Sequence, residues 1–225
     1  MLLTVNNCST CPQYNLALEE YLCSLNPEVF MLWQNEPSVI VGRFADVNAD
    51  VNLDSGIQIV RRNSGGGSVY HDLGNINYSF ILKDKREYTL EYFSDIIINA
   101  LNRIGINAEL SFRHNDILAD GMKISGAAQY HHDGIILHHG TLLFDSNLEA
   151  MKRILRRSGN VANIKPLLTH DMTVKDFMKT LHDNMSVHDT LTLNEEDESR
   201  IKTLMLNKYS NPEWNLEGVN LNDKV

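Results

Sequence analysis

Arg61-Arg62-Asn63-Ser64-Gly65-Gly66-Gly67-Ser68-Val69-Tyr70-His71-Asp72-Leu73-Gly74-Asn75 is the stretch on which the reading of this chain turns. Three consecutive glycines are expensive to order, at about 0.5–1 kcal/mol each relative to alanine. A chain accepts that cost where its backbone must take positive φ or come close to another group. The preceding Gly56-Ile57-Gln58-Ile59-Val60 alternates and is β-branched, so the glycines are expected just after a strand. Beside Arg61 and Arg62 such a loop can present N–H groups and positive charge to an anion. A glycine-rich hairpin with two solvated arginines fits the same residues equally well, because three glycines alone do not name a ligand.

Composition narrows the setting. With 225 residues, 43% of them hydrophobic and 22% charged, the chain suits one large or two small globular domains. A formal net charge of −9 argues against nucleic acid as the main partner, since phosphate backbones need a basic surface. Cations cluster locally at Arg61-Arg62 and at Lys152-Arg153 with Arg156-Arg157, which fits a small anion better than a polyanion. No apolar run approaches the ~20 residues of a membrane span, and the N-terminus lacks the pattern of a signal peptide, so a cytoplasmic location is expected. Cys8, Cys11 and Cys23 are too few for a disulfide framework. Cys8-x-x-Cys11 lacks the two further ligands of a zinc site, and the thiols are read as free residues before a helix; no metal site is expected.

Periodicity places the elements. A helix is expected over Gln13–Leu25, strands at Val29–Gln34, Ser38–Gly42 and Asn75–Leu82, and a helix from Thr89 to Ile104 stopped by Gly105. Asp133-Gly134 lies between two strand-like runs, the signature of a two-residue hairpin turn. That register sets His132 opposite Ile135, Gln129 opposite His138 and Ser125 opposite Leu142, with Lys123, Ser125, Ala127 and Gln129 on one face. Lys123 in a glycine-interrupted strand is either aimed at an anion or carbonyl in a cleft or solvated; the pattern leaves both open. Of His131, His132, His138 and His139, strand neighbours point to opposite faces, so at most two can converge. His139 before Gly140 reads as an imidazole holding a turn. Thr173-Val-Lys-Asp176 reads as a capping box, and Asn194 as the cap of a helix with an acidic first turn.

These pieces together resemble the lipoate–protein ligase A family. The resemblance rests on Arg61-Arg62-x-Ser64-Gly-Gly-Gly-x-Val-Tyr-His-Asp-x-Gly-Asn75, Asn115-Asp116-Ile117, Gly121-x-Lys123-Ile-Ser-Gly126 and His138-His139-Gly140-Thr141-Leu-Leu143. Asn15-Leu-Ala-Leu-Glu-Glu20, Val39-Ile-Val-Gly-Arg43, Lys208-Tyr209 and Glu213-Trp214-Asn215 extend it over nearly the whole chain. It implies an α+β catalytic domain, with mixed β-sheets flanked by helices and related to biotin ligases, formed by residues 1–225 as one unit. The implied chemistry is activation of lipoate by ATP with Mg2+ to lipoyl-adenylate, then transfer to a lysine of a lipoyl carrier domain. Such carriers belong to 2-oxoacid dehydrogenase E2 subunits or are the glycine-cleavage H protein. Carried over by position, Arg62 and the loop Ser64, Gly65, Gly66, Gly67, Ser68, Val69, Tyr70 and His71 would contact nucleotide and acyl-phosphate. Lys123 would be the catalytic cation. Asn115 and Asp116 would line the nucleotide side, and Ser125, His139, Gly140 and Thr141 the substrate pocket.

The sequence also departs from the family. Gln-Asn and then Glu commonly follow the equivalent of Gly42-Arg43, where this chain has Ala45-Asp46 and Asp50. A lysine- and serine-rich segment that covers the adenylate in typical ligases is short here, from Leu148 to Ile164. The C-terminal accessory domain of larger relatives is expected to be absent, so a separate accessory subunit could supply it. Two further readings follow: an acyltransferase working from a preformed donor, for which related enzymes use a cysteine, and a non-catalytic ligand-binding homologue.

Overall fold

Residues alternate in kind along 75–83: Ile76, Tyr78, Phe80 and Leu82 point one way, Asn75, Asn77, Ser79 and Ile81 the other. In the computed structural model, which describes residues 2–25, 28–111, 116–185, 187 and 189–218, this segment is an interior strand of the main sheet. In chain order the elements begin with β1 (Leu3–Val5), α1 (Pro12–Leu25), β2 (Val29–Trp33), β3 (Ser38–Val41) and α2 (Val47–Asp50). There follow β4 (Gln58–Arg61), β5 (Val69–His71), β6 (Asn75–Lys83), α3 (Leu90–Arg103), β7 (Ala108–Leu110) and β8 (Ile117–Ala119). Next come β9 (Met122–Ser125), β10 (Ala127–His132), β11 (Ile135–Leu143), α4 (Leu148–Ile154), α5 (Val174–Asp183), β12 (Asp189–Leu191) and α6 (Glu195–Leu204). Two π-helical turns, Met205–Tyr209 and Glu213–Glu217, close the described chain.

The large sheet runs β10-β11-β6-β2-β1-β12. It is mixed, since β1 is parallel to β2 and β12 while the other pairs are antiparallel. On one face Phe30, Tyr78, Phe80 and Ile136 pack with Phe93, Ile97 and Leu101 of α3 and Phe177 of α5. On the other, Val29, Met31, Ile81 and Leu137 meet Leu16, Ala17, Leu18 and Leu22 of α1. A small sheet, β4-β3-β5, turns Val39, Val41 and Tyr70 toward α2 and α4, and Ile40 and Val60 toward the α1 side. A third, β7-β8-β9, is antiparallel. The expected α+β class, with mixed sheets flanked by helices, is what forms.

Local signals behave as their chemistry dictates. Thr89 caps α3, and Gly105 ends it at φ +91°. Both capping boxes, at Thr173 with Asp176 and at Asn194 with Asp197, are made. Asp133 and Gly134 have φ of 49° and 74°, a two-residue turn that fixes His132 opposite Ile135 and Gln129 opposite His138. The register fails one step further on. Ser125 does not face Leu142; it pairs with Ile117 in the third sheet. A second two-residue turn, Asp120-Gly121 with φ of 51° and 73°, gives β9 its own partner, and Gly126 breaks the strand between them. Lys123 therefore does not share a sheet face with Ala127 and Gln129.

Arg61 also departs from expectation: it is 2% exposed and faces no anion site. Its guanidinium donates to the carbonyls of Trp214, Gly42, Ala45, Arg43 and Leu216. Trp214 Nε1 donates back to the Arg61 carbonyl at 2.8 Å. The Trp214 indole also meets Arg43 and Lys208, whose cations sit 4.5 and 4.3 Å from ring centroids. This clasp ties the end of the described chain to the start of the glycine stretch. His138 faces α3, stacked on Phe93 with centroids 4.5 Å apart, and burial lowers its pKa to about 3.

Two outcomes follow. Arg61→Ala should lower the unfolding free energy by about 3 kcal/mol, because several buried carbonyls lose their donor; a urea titration showing less than ~1 kcal/mol would mean that the clasp contributes little to folding. His138 stays neutral when folded but takes a proton once unfolded, so its contribution to stability is lost as pH falls from about 6.5 toward 3. Relative to wild type, His138→Phe should flatten that fall by roughly 1.4 kcal/mol per pH unit; parallel pH profiles for the two proteins would contradict it.

Candidate functional site

On the α1 face of the large sheet lies a buried carboxylate. Glu19 stands on the apolar side of α1, one turn from Leu16 and Leu22, and is 2% exposed. Ser79 Oγ donates to Glu19 Oε1 at 2.5 Å, and Trp33 Nε1 donates to Ser79 Oγ at 2.8 Å. His139 Nδ1 lies 3.1 Å from the same carboxylate, and its Nε2 lies 2.6 Å from Ser64 Oγ. Ser64 Oγ accepts from Arg62 Nε at 2.9 Å. The Glu19 carboxylate can only accept, so His139 carries its proton on Nδ1; the bare Nε2 of that tautomer takes the Ser64 proton, while a lone pair of the hydroxyl serves Arg62. A buried anion and a buried cation are thus joined through two neutral groups. His139 holds no turn, contrary to the sequence reading; it is a mid-strand residue of β11.

Arg62 is 6% exposed and keeps a pKa of about 10, lowered by burial and supported by the Glu19 charge. It remains cationic at neutral pH. Its remaining bonds go to the carbonyls of Ile40, Gly65 and Gly67, at 3.1, 2.6 and 2.9 Å. The guanidinium thus shapes the glycine loop from behind. Gly66 takes φ +89°, and its carbonyl packs against Gly42 so closely that a Cβ there would stand 1.9 Å from it. A Cβ on Gly67 would meet nothing, so the loop backbone borders open space. Among the described residues, none accepts from the amides of Gly65, Gly66 or Gly67. Such a set of amides next to a fixed cation suits a phosphate. Glu20, the next residue on α1, anchors the other side of the loop by accepting from Asn63, Lys208 and Tyr209. Burial opposes its ionisation, but Lys208 and these hydrogen bonds hold its pKa below the usual value.

The loop forms one wall of a cleft of about 200 Å³. Opposite stands Lys123, whose Nζ pairs with Asp116 Oδ1 at 2.9 Å and whose side chain is 38% exposed. An ion pair this open is worth about 1 kcal/mol or less, so an incoming anion can take the ammonium over. Residues 160–162 flank Lys123, with Lys123 N donating to Asn160 O and Ala162 N to Lys123 O. The short segment after β11 therefore lies along the lysine strand. Between the two walls the floor comes from the large sheet: Trp33, Asn77, Thr141, Gly140 and His139. His71 completes it from β5, buried and with its pKa lowered to about 3 by burial and by the nearby Arg62.

The structure brings together Arg62, Gly66, Gly67, Ser68, Val69, His71, Asp116, Lys123, His139, Gly140 and Thr141 around this one cleft. Ser64 and Gly65 lie behind it, on Arg62. Tyr70 points away, into the α2–α4 core, because strand neighbours alternate. Ser125 is 1% exposed behind the wall, 3.3 Å from the Tyr78 hydroxyl. Asn115 lies outside the described residues. Leu16, Trp33, Ile40, Asn77 and the stretch from Gly126 to Ala128 also line the cleft and escaped sequence reasoning. For Asn77 and Trp33 the signal was there: each sits at a strand position whose side chain shares the α1 face with Ser79 and Met31. No cysteine lines the cleft. Cys8 and Cys11 are free, and Cys23 is free with its pKa raised to about 12 by burial. Among the described residues no three His, Cys, Asp or Glu side chains are arranged to hold a metal ion, and no helix is long and apolar enough to cross a membrane.

The family model for the lipoyl protein ligase A/B catalytic domain matches residues 11–186. A lipoate–protein ligase of Bacillus subtilis (strain 168) is 37% identical over 243 aligned positions, covering 96% of this chain and 73% of that protein. A crystal structure of a lipoate–protein ligase A bound with ATP superposes with a TM-score of 0.86 at 26% identity, covering 97% of this chain and 98% of that one. A T. acidophilum protein solved with bound lipoic acid gives 0.85 at 26% identity, over 96% and 98% of the two chains. With its motifs gathered around one cleft and its whole length following these relatives, the chain belongs to the lipoyl protein ligase A/B catalytic domain family.

Proposed function

We propose that this chain is an ATP-dependent lipoate–protein ligase, and that the glycine loop facing Lys123 across the cleft is where its chemistry takes place. That opposition of free amides and a releasable ammonium is the observation that carries the reading. A lipoate carboxylate oxygen attacks the α-phosphorus of ATP, the bond to the bridging oxygen breaks, and pyrophosphate leaves. The amine of a carrier lysine then attacks the lipoyl-adenylate carbonyl; the amide forms, AMP departs with the electron pair, and the amine loses a proton. Negative charge gathers on the oxygens around phosphorus in the first step and on the carbonyl oxygen in the second. Lys123 is set to meet both, leaving Asp116 as it does so. The amides of Gly66 and Gly67 serve the phosphate, and Arg62 acts by keeping them in place.

No side chain of the enzyme is needed as a covalent nucleophile, in keeping with a cleft free of cysteine. Mg2+ would come with the nucleotide, held mainly by its phosphates and by water. The acceptor is the lysine of a lipoyl carrier domain, of an E2 subunit or an H protein, in the cytoplasm.

The test is the intact mass of an apo lipoyl domain after incubation with the chain, ATP, Mg2+ and lipoate. A lipoyl increment that depends on ATP is expected. Transfer only from supplied lipoyl-adenylate would shift activation to a separate accessory subunit. No increment under either condition would overturn the proposal. Lys123→Ala should lose at least ~10²-fold in rate while its unfolding curve stays close to wild type, as expected for a group that acts on transition-state charge.

A further inference from the structure

Within that cleft two buried donors have no protein partner, Asn77 Nδ2 on the floor and the His71 ring at its end, and the ring is the one that stands beside Trp33. Asn15 Nδ2 lies 3.1 Å from the Ser9 carbonyl and 2.8 Å from the Gln34 carbonyl, contacts only a nitrogen can make. An amide nitrogen cannot accept, so the atom of Asn35 facing it at 2.8 Å is an oxygen, which shares the two Asn15 hydrogens with those carbonyls. That leaves Asn35 Nδ2 to donate to His71 Nδ1 at 3.0 Å. His71 consequently has a bare Nδ1 and its proton on Nε2, the opposite tautomer to His139. His71 is 3% exposed, and its Nε2 meets no protein acceptor. Buried N–H groups in that condition are rare and call for a ligand or water.

Position indicates which part of a substrate would reach it. The His71 ring stands edge-on to Trp33 with centroids 6.1 Å apart. Trp33 pairs with Asn77, Asn77 with Thr141, and Thr141 N bonds to Gly126 O. The Lys123 ammonium hangs over Gly126. Three interstrand spacings of about 4.8 Å, roughly 14 Å in all, thus separate the Trp33–His71 end from the Lys123 end. A carboxyl group held at Lys123 directs its tail toward His71.

We infer that His71 is a specificity-determining donor that favours an acyl chain ending in a dithiolane over a plain hydrocarbon chain, with Asn35 and Asn15 as its positioning residues. The inference rests on the lipoate reading above. A ring sulfur is a weak acceptor and packs well against the indole edge, whereas a methyl terminus leaves the N–H unpaired. A site with a buried donor rejects the analogue that cannot meet it.

The experiment is calorimetric binding of lipoate and of octanoate to the intact chain and to two variants. In His71→Asn the side-chain oxygen can replace Nδ1 toward Asn35, but nothing replaces Nε2–H. In His71→Gln the amide nitrogen reaches the Nε2 position. Wild type should favour lipoate by about fivefold to tenfold, as for one neutral hydrogen bond. His71→Asn should weaken lipoate alone and bring the ratio toward one, and His71→Gln should restore most of it. Equal weakening of both acids, or no change in either, would overturn the inference while leaving the ligase reading intact. Failure of wild type to bind lipoate at all would overturn both. Nitrogen-15 NMR of the wild-type imidazole gives an answer that no variant's folding can obscure: the Nε2-protonated form is expected, and the Nδ1-protonated form would refute the assignment.

Discussion

The arrangement of this protein depends on a buried carboxylate and a buried guanidinium that never touch. Glu19 and Arg62 are joined by His139 and Ser64, each donating to the next. Either ion alone in that interior would be costly, far beyond what one neutral hydrogen bond returns. Linked in this way, they tie α1, the β11 strand and the glycine loop into one unit. The loop's geometry is then a consequence: Arg62 holds the Gly65 and Gly67 carbonyls, and among the described residues the loop amides are left without an acceptor.

This gives paired residues different duties. Of the adjacent arginines, Arg61 closes the C-terminal clasp and Arg62 shapes the loop; the residue pattern did not separate them, and only the family resemblance singled out Arg62. Of the adjacent acids, Glu19 supports the floor through Ser79 and His139, while Glu20 holds the loop's entrance through Asn63 and Lys208. Of the two cleft histidines, one is saturated by the scaffold and the other retains a free N–H. The positive charge left to meet a substrate is mainly that of Lys123, whose partner Asp116 is weakly bound because both are partly in water.

Much of this was legible beforehand. Capping residues, the Asp133-Gly134 turn and the alternation of β6 act through bonds between near neighbours, so their outcome is written in a few consecutive side chains. The motif around the glycines gave the family, and the cleft gathers most of the residues that the resemblance put there. Tyr70 was misplaced because a motif is contiguous while strand neighbours face opposite ways. Ser125 was misplaced because a second turn at Asp120-Gly121 gave its strand another partner.

By itself, then, the sequence determined element types, turn positions, the mixed α+β class and the family, since these follow from local stereochemistry and from motif order. Only the tertiary structure decided which buried polar groups meet. The Asn15–Asn35–His71 chain spans α1, the loop after β2 and β5, and the Glu19–Arg62 link crosses more than forty positions of sequence. Proton positions on His71 and His139 depend on those distant partners, because an imidazole takes its tautomer from the groups around it.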